Sequence, residues 1–280
     1  MVNFFIDTAN LEFIKDLKLK LNSIVDFKLV NGITTNPNAF KKINKFKLSE
    51  WENQLPKLCE LVSEMRQDGD GIVYVQAPVS TMTLNEVLRF AEHISKFDDG
   101  NTRLGLKIPP FRNILYGVSE IEKIMTTNVT GVADAGTALF ASLYHPTYVS
   151  VIPGRMEEVG IDAKKHVEYL MDAIDTWPYE SVISSATQII SGSMRTLEGL
   201  LWVSEMGTVP TIGEKVWDLI YEDLSILDKM NYEKVNNYLD REYISKFAPL
   251  NDQRNTDLSL AFFKQMDEYG SEAYNDFLKK

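Results

Sequence analysis

The chain has 280 residues, of which 44% are hydrophobic, and a formal net charge of −11. This length and composition suffice for one large core, and α/β barrels commonly reach this size as a single domain. The negative charge argues against non-specific binding to nucleic acid. The single cysteine, Cys59, excludes a disulfide framework. The three histidines are scattered along the chain and show no metal-ligand spacing.

Strand and helix patterns alternate along most of the chain. A period of two in the apolar residues predicts strands, and helical spacing predicts helices. In chain order, the predicted elements are a strand at 3–7, a helix at 10–20, a strand at 27–35, a helix at 49–67, a strand at 72–76, a helix at 83–96, a strand at 102–110, a helix at 114–125, a strand at 128–133, a helix at 137–144, a strand at 148–152, a helix at 162–176, a strand at 181–185, a helix at 194–205, a strand at 209–212 and a helix at 214–222. Asn10 and Ser49 are predicted N-caps, and Gly207 is a predicted C-cap.

Eight strand–helix units within about 220 residues is the count of a closed parallel barrel. An open doubly wound sheet is the alternative, because periodicity does not show closure. No glycine-rich phosphate-binding motif follows the first strand, which counts against a nucleotide-binding fold. We therefore predict an α/β protein in which a (β/α)8 TIM barrel, residues 1–223, forms the catalytic domain and residues 224–280 form a C-terminal helical extension.

The extension contains apolar side chains at helical spacing that need a surface to cover. They are Phe262, Phe263, Met266, Tyr269, Tyr274 and Phe277. Two arrangements satisfy this requirement. The helices pack under their own barrel, or they dock on a neighbouring subunit.

The strand at 102–110 carries the residue on which the functional interpretation depends. Apolar side chains alternate with polar or small ones along this strand, and two prolines end it. Lys107 therefore lies at the carboxyl end of the strand, on the face opposite the leucines. Burial lowers the pKa of a lysine, and a neutral amine is a nucleophile toward ketones. The alternative is a lysine whose ammonium group reaches the solvent.

Other polar side chains occupy the ends of predicted strands. These residues are Asp7, Thr34, Asn36, Gln76, Asn128 and Thr130. In a parallel barrel such ends meet at one rim, where enzymes of this fold hold their catalytic residues. One polar residue at a strand end is ordinary turn chemistry, whereas a set that converges on Lys107 predicts an active site.

Several segments resemble the transaldolase family, in the order and spacing of the short subfamily that includes fructose-6-phosphate aldolase. They are residues 4–10 (FFIDTAN), 32–38 (GITTNPN), 106–109 (LKIP), 127–130 (TNVT) and 148–155 (YVSVIPGR). The similarity extends over about residues 1–215. It implies a (β/α)8 barrel that forms a Schiff base with a ketose phosphate.

The resemblance also implies roles for individual residues. Lys107 would form the imine, Asp7 would handle the proton of the C4 hydroxyl, and Thr130 would hold the catalytic water. Arg155 would bind the substrate phosphate, for which a bidentate guanidinium is well suited. The further residues that would contact substrate are Thr34, Asn36, Asn128 and Ser185.

Some positions depart from the family pattern. Gln76 stands where transaldolases carry glutamate and fructose-6-phosphate aldolase carries glutamine, so it favours the aldolase branch. Ile152 replaces the aromatic residue of the sixth strand. At the end of the predicted seventh strand, the family has a serine that makes the second phosphate contact. Ser185 is the predicted equivalent, although an ungapped alignment with the family places Ala186 at that position. The basic residue that follows in the family corresponds to Gln188.

Three functions agree with these residues. The first is a transaldolase that moves a dihydroxyacetone unit from a ketose phosphate to an aldose phosphate. The second is a lyase that uses dihydroxyacetone directly, and the third is a barrel that binds a sugar phosphate without turnover. Retention of an imine-forming lysine counts against the third, because binding alone does not need it.

The expected partners follow from the same interpretation. We expect sugar-phosphate substrates, no cofactor, no metal, no nucleic acid and no membrane, and a homo-oligomer through the C-terminal helices. The sequence shows neither an apolar run of membrane-spanning length nor a signal-peptide pattern, which predicts a cytoplasmic protein.

Overall fold

Eight parallel strands form a closed barrel in which each strand pairs with its neighbours in chain order and the last strand pairs with the first. The computed structural model describes residues 3–21, 29–66, 69–98, 100, 102–176, 187–230 and 253–280. The strands are β1 (Phe4–Asp7), β2 (Val30–Thr34), β3 (Ile72–Gln76), β4 (Arg103–Ile108), β5 (Thr126–Val132), β6 (Tyr148–Val151), β7 (Gln188–Ser191) and β8 (Val209–Gly213). Closure confirms the predicted (β/α)8 TIM barrel and excludes the open sheet.

Helices follow the strands, and several of them are short. They are α1 (Leu11–Leu21), α2 (Pro37–Lys42), α3 (Leu48–Met65), α4 (Leu84–Ile94), α5 (Arg112–Leu115), α6 (Val118–Glu122), α7 (Ala135–Ser142), α8 (Pro153–Glu158), α9 (Ala163–Thr176), α10 (Leu197–Glu205), α11 (Glu214–Glu222), α12 (Ser225–Lys229) and α13 (Gln253–Phe277). In the part of the chain that the structure describes, no helix is both long and apolar enough to span a membrane.

The period of two in each strand separates two apolar cores. In β1, Phe4 and Ile6 belong to the large core between strands and helices, whereas Phe5 points into the barrel. There the Phe5 ring meets Tyr74 edge-to-face at 5.9 Å between centroids. Aromatic rings thus fill the lower part of the barrel, and the next inward position of β1, Asp7, lies above them near the carboxyl-terminal end, which we call the barrel mouth.

The seventh strand does not lie where the sequence pattern placed it. The predicted segment, 181–185, is outside the described residues, and the strand that pairs with β6 and β8 is Gln188–Ser191. The sequences Val-Ile-Ser-Ser and Ile-Ile-Ser-Gly both combine two β-branched residues with small ones, so periodicity could not choose between them. The residues at the mouth end of β7 are therefore Ser191, Gly192 and Ser193.

Two helix predictions also need correction. α3 begins at Leu48 with Lys47 as its N-cap, and not with Ser49, because the Glu50 carboxylate accepts a hydrogen bond of 2.8 Å from the Lys47 backbone N–H. The predicted helix at 114–125 is divided into α5 and α6 around Gly117. A Cβ at Gly117 would lie 2.1 Å from Leu84 Cδ1, so a side chain at this turn would have to displace the Leu84 side chain of α4.

Other helix ends agree with the sequence. Asn10 accepts a hydrogen bond from the backbone N–H of Phe13 at 3.3 Å, as predicted for an N-cap. Gly207 follows the C-cap of α10, Met206, and has a φ of 78°. Glycine adopts this left-handed conformation without the steric cost that a Cβ would bring.

The last helix, α13, lies across the barrel mouth, and we call it the C-terminal helix. It contacts α2, α8 and the end of β5, and its Phe262 and Phe263 rings pack on Gly131. The apolar face expected for the extension is thus buried on the chain's own barrel, over the mouth at Phe262 and Phe263 and against α4 at Phe277, whose ring lies 5.4 Å from that of Phe90. Association of copies through these helices stays a prediction.

Polar contacts also hold the C-terminal helix to the loops around the mouth. The Asp267 carboxylate accepts hydrogen bonds from the backbone N–H and the hydroxyl of Ser80, at 2.6 and 2.7 Å. The Ser259 hydroxyl donates to the Gly131 carbonyl at 2.6 Å. Because Ser80 follows β3 and Gly131 lies near the end of β5, the helix is attached on both sides of the strand that carries Lys107.

Gly270 marks the closest approach of this helix to the barrel, and the Gly270→Ala variant should be less stable by about 1–3 kcal/mol. A Cβ at Gly270 would lie 1.7 Å from the Pro78 carbonyl oxygen, a backbone atom that cannot move alone. Urea denaturation measures the loss. Glu272→Ala, at an exposed position of the same helix, is the matched control. Equal stability of the two variants would show that the helix does not pack as described.

Candidate active site

Lys107 occupies the inward face of β4 near its carboxyl end. The residues before and after it, Leu106 and Ile108, are fully buried in the outer core, and the lysine itself is 7% exposed. In the sheet register, Lys107 lies between Gln76 of β3 and Asn128 of β5. The predicted side of the strand is therefore confirmed, and the lysine is buried inside the barrel.

Burial is the main electrostatic influence on this amine. It lowers the pKa of Lys107 because the charged form loses its hydration, and the negative charge of Asp7 opposes this effect without cancelling it. No hydrogen bond or salt bridge joins the Lys107 amine to another described residue. The amine is thus available in its neutral, nucleophilic form at a lower pH than an exposed lysine.

The Lys107 side chain lines a cavity of about 340 Å³, a volume that includes space open to solvent. The cavity is lined by Asp7, Asn36, Lys107, Thr130, Ser150, Ile152, Ile190, Gly192, Ser193, Thr211 and Phe262. The structure thus brings Asp7, Asn36, Lys107 and Thr130, which the strand-end pattern predicted, into one pocket.

Asp7 is fixed by its neighbour on β2. The Thr34 hydroxyl donates a hydrogen bond of 2.9 Å to Asp7 Oδ1, and Thr34 is only 1% exposed. Asn36 is the last residue before α2. Its Oδ1 accepts a hydrogen bond from the Ala39 backbone N–H and so caps that helix. Thr34 therefore orients the carboxylate from below, while Asn36 lies at the cavity wall.

Two amide side chains beside Lys107 have polar atoms that no protein group satisfies. Gln76 Oε1 and Asn128 Nδ2 are buried without a hydrogen-bond partner among the described residues. The other end of the Asn128 amide is fixed, because Ser150 donates to its Oδ1 at 2.7 Å. Buried polar atoms are normally bonded, so each of these two atoms has the capacity for a further hydrogen bond, although neither Gln76 nor Asn128 is among the residues that line the cavity.

Residues after β7 complete the opposite wall, and the sequence reasoning missed them. Ser185, the predicted serine, lies outside the described residues, whereas Ser193 lines the cavity with a φ of 59°. A Cβ at Gly154 would lie 1.8 Å from the Ser193 carbonyl oxygen, so only glycine lets the β6–α8 connection approach so closely. The sequence signal that could have identified Ser193 is the pair Gly192-Ser193, which closely follows the two isoleucines of β7.

Two arginines lie on these neighbouring segments. Arg155 follows Gly154, and Arg195 donates a hydrogen bond to the Ser193 carbonyl at 2.9 Å and forms an ion pair of 2.6 Å with Glu158. Burial lowers the pKa of Arg155, and the positive charge of Arg195 lowers it further. Gln188, predicted at the family's basic position, is instead exposed at the start of β7, far from the mouth end of that strand.

The sixth strand contributes an aliphatic wall. Ile152 is 3% exposed and lines the cavity, as does Phe262 of the C-terminal helix. An aromatic ring therefore enters the pocket from outside the strands. Within the described ranges, no group of three or more His, Cys, Asp or Glu side chains is arranged to hold a metal ion.

Curated proteins named "Probable transaldolase" are similar to this chain. The proteins from Streptococcus equi subsp. equi (strain 4047) and Streptococcus pyogenes serotype M2 (strain MGAS10270) are each 28% identical over 207 residues. The aligned region covers 74% of this chain and 83% of each relative. This similarity agrees with the resemblance between the motifs of the chain and those of the transaldolase family.

Two further comparisons complete the picture. No protein-family model matches the chain. Among solved structures, the orotidine 5'-phosphate decarboxylase from Lactobacillus acidophilus has a TM-score of 0.49 and 11% identity, covering 82% of this chain and 100% of that chain. The barrel assignment rests on the strand pairing of the chain itself.

Proposed function

We propose that the chain is a class I transaldolase, which forms a Schiff base through Lys107 and transfers a dihydroxyacetone unit from a ketose phosphate to an aldose phosphate. The observation that carries the proposal is the buried Lys107 amine, whose pKa is lowered by burial and which lines a cavity together with Asp7. The similarity to proteins named probable transaldolase agrees with this chemistry.

The reaction begins when the neutral Lys107 amine adds to the C2 carbonyl of the ketose. Loss of water gives an imine, which in its protonated form accepts an electron pair. Asp7 takes the proton of the C4 hydroxyl, the C3–C4 bond breaks, and its electron pair moves to the imine to give an enamine. The aldose leaves as an aldehyde, and the enamine attacks an acceptor aldehyde, whose carbonyl oxygen takes the proton back from Asp7 and becomes the new C4 hydroxyl. Water then adds to the regenerated imine and releases the new ketose, which restores the free Lys107 amine.

The neighbouring polar groups have matching roles. Thr130 holds the water that is lost and later returns, and Gln76 and Asn128 bond it or the substrate hydroxyls through their unsatisfied amide atoms. Thr34 keeps Asp7 oriented toward the C4 hydroxyl through its hydrogen bond.

The substrate phosphate binds between the segments that follow β6 and β7. Arg155 supplies the guanidinium, and Ser193 takes the place that the sequence prediction gave to Ser185. Arg195, two residues after Ser193, adds a second positive charge. The proximity imposed by Gly154 brings these segments together, which supports a shared anion site.

A lyase that uses dihydroxyacetone directly is the second candidate, and Gln76 favours it. This side chain is 3% exposed beside Lys107, and an amide holds a water but does not exchange a proton with it. Donor dependence separates the candidates. A transferase needs both a ketose phosphate and an aldose acceptor, whereas a lyase releases or consumes free dihydroxyacetone.

Reduction with borohydride in the presence of fructose 6-phosphate tests the proposed function. We expect a stable adduct on Lys107, located by mass spectrometry of the reduced protein. Lys107→Ala should abolish the adduct while the protein stays folded, and Lys264→Ala, at an exposed lysine of the C-terminal helix, should leave it intact. If wild-type protein gives no adduct, the chain does not use an imine, and a binding role without turnover replaces the proposal.

A further inference from the structure

The C-terminal helix holds the guanidinium that the proposed function assigns to the substrate phosphate. Arg155 Nη1 donates a hydrogen bond of 3.1 Å to Gln265 Oε1, and its Cζ lies 4.9 Å from the centroid of the Phe262 ring. Gln265 and Phe262 are three residues apart and so lie on one face of the helix. The guanidinium is therefore held by an amide on one side and by an aromatic ring on the other.

These contacts continue to the far side of the mouth. Gln265 Nε2 donates a hydrogen bond of 3.1 Å to the Tyr269 hydroxyl, and Lys41 Nζ lies 3.6 Å from the centroid of the Tyr269 ring. Lys41 belongs to α2, whose N-cap is the cavity residue Asn36. Both ends of the Gln265 amide are thus used, and its oxygen is directed at Arg155, because a guanidinium only donates and an exchange of the amide oxygen and nitrogen would lose the bond to it.

The Arg155 guanidinium keeps a hydrogen-bond donor that no described residue uses. Arg155 Nε is buried and has no hydrogen-bond partner among the described residues. The nearby Glu158 carboxylate is paired with Arg195, and no salt bridge joins Arg155 to a carboxylate in the described part of the chain. The acceptor that Gln265 offers is neutral, so it fixes the guanidinium without cancelling its charge.

We propose that Gln265 is a positioning residue, which orients the Arg155 guanidinium for the donor phosphate and so makes the preference for phosphorylated donors depend on the C-terminal helix. This inference rests on the proposed function. Gln265 itself touches no reacting atom. Its effect is confined to substrates that carry the phosphate, because dihydroxyacetone reaches Lys107 without contacting Arg155.

Borohydride trapping with two ketones tests this role. For Gln265→Ala, the half-saturating concentration of fructose 6-phosphate should rise roughly tenfold, the effect of one hydrogen bond to a charged group, while the limiting trapping rate stays within about twofold. The half-saturating concentration of dihydroxyacetone should not change. Glu272→Ala, on the exposed face of the same helix, should alter neither value.

Gln265→Glu separates positioning from a structural role. Glutamate and glutamine have the same shape, so Gln265→Glu would behave like the wild type if Gln265 contributed only to the structure. A carboxylate would instead neutralise Arg155 and repel the phosphate, so we expect the half-saturating concentration of fructose 6-phosphate to rise above that of Gln265→Ala. Restoration by glutamate, or an equal loss for both ketones, would overturn the proposal.

A binding measurement keeps this test independent of the imine chemistry. In full-length Lys107→Ala protein, calorimetry gives the Kd of fructose 6-phosphate with and without Gln265→Ala. We expect a roughly tenfold weaker Kd when Gln265 is replaced. If wild-type protein forms no adduct but this difference is seen, the proposed catalysis fails and the positioning role stands. If fructose 6-phosphate does not bind, or binds equally to both proteins, the positioning role is wrong.

Discussion

Replacing Lys107 with methionine should abolish turnover and at the same time stabilise the folded protein at neutral pH. Methionine fills the same space without an amine, so no imine forms, and we expect kcat to fall by about 10⁴-fold or more, as when an enzyme loses its nucleophile. Stability should rise by roughly 1 kcal/mol, because the variant does not desolvate a cationic group.

The gain in stability should depend on pH. Burial lowers the pKa of Lys107 below its ordinary value of 10.5, so between the folded-state pKa and 10.5 the unfolded chain binds more protons than the folded one. Wild-type stability therefore rises with pH through this window. The methionine variant lacks this titration, so its advantage is complete below the folded-state pKa and disappears as the pH approaches 10.5.

Urea denaturation at several pH values between 7 and 10.5 measures this difference. Lys264→Met, at an exposed lysine of the C-terminal helix, is the control and should show no such trend. A methionine variant less stable than wild type at pH 7 would mean that the ammonium group is well solvated or paired, which would remove the basis for a nucleophilic Lys107.

The second large effect is expected for Asp7→Asn. The asparagine oxygen can still accept the hydrogen bond from Thr34, so the geometry is retained while the base is lost. We expect kcat for transfer to fall about 10²- to 10⁴-fold, the usual contribution of a general base. Trapping of dihydroxyacetone on Lys107 should persist, because imine formation does not require removal of the C4 proton.

The same variant tests the coupling between Asp7 and Lys107. The negative charge of Asp7 raises the pKa of Lys107 against the stronger effect of burial, so its removal lowers that pKa further. The pH dependence of dihydroxyacetone trapping should therefore shift to lower pH. Thr8→Ala, next to Asp7 in the chain, serves as a control for local disturbance. Equal losses of trapping and transfer would show that Asp7 acts in imine formation and not in bond cleavage.

The barrel was predictable because its signal is repeated. Each strand carries the period of two, and eight units of similar length leave few arrangements of the chain. The side of the strand on which Lys107 lies was fixed by its apolar neighbours, and the grouping of Asp7, Asn36 and Thr130 followed from the common direction of parallel strands. These predictions used local patterns and one topological rule.

The parts that failed depend on contacts between distant segments. The segments 181–185 and 188–191 look alike in sequence, and only pairing with β6 and β8 identifies the second as β7. Ser185 lies outside the described residues, and the serine that lines the cavity after β7 is Ser193. Gln188 lies at the start of the strand, away from the mouth.

The C-terminal helix shows a different limit. Its apolar stripe was visible in the sequence, but a stripe does not identify the surface that it covers. The decisive features are the two glycines, Gly131 and Gly270, where a Cβ would collide with the neighbouring segment. A glycine inside a helix, such as Gly270, indicates close packing against another segment. The segment that it packs against contains Pro78, which is almost 200 residues away in the chain, so the sequence does not identify it.

Phe262 lines the pocket and Gln265 bonds Arg155, and both belong to the same polypeptide as Lys107. A lone copy of the chain therefore contains every group proposed here for donor recognition, and the proposal does not require a second copy to complete that site. Self-association in such a protein would serve durability or regulation, and natural selection could alter the number of subunits without disturbing the chemistry.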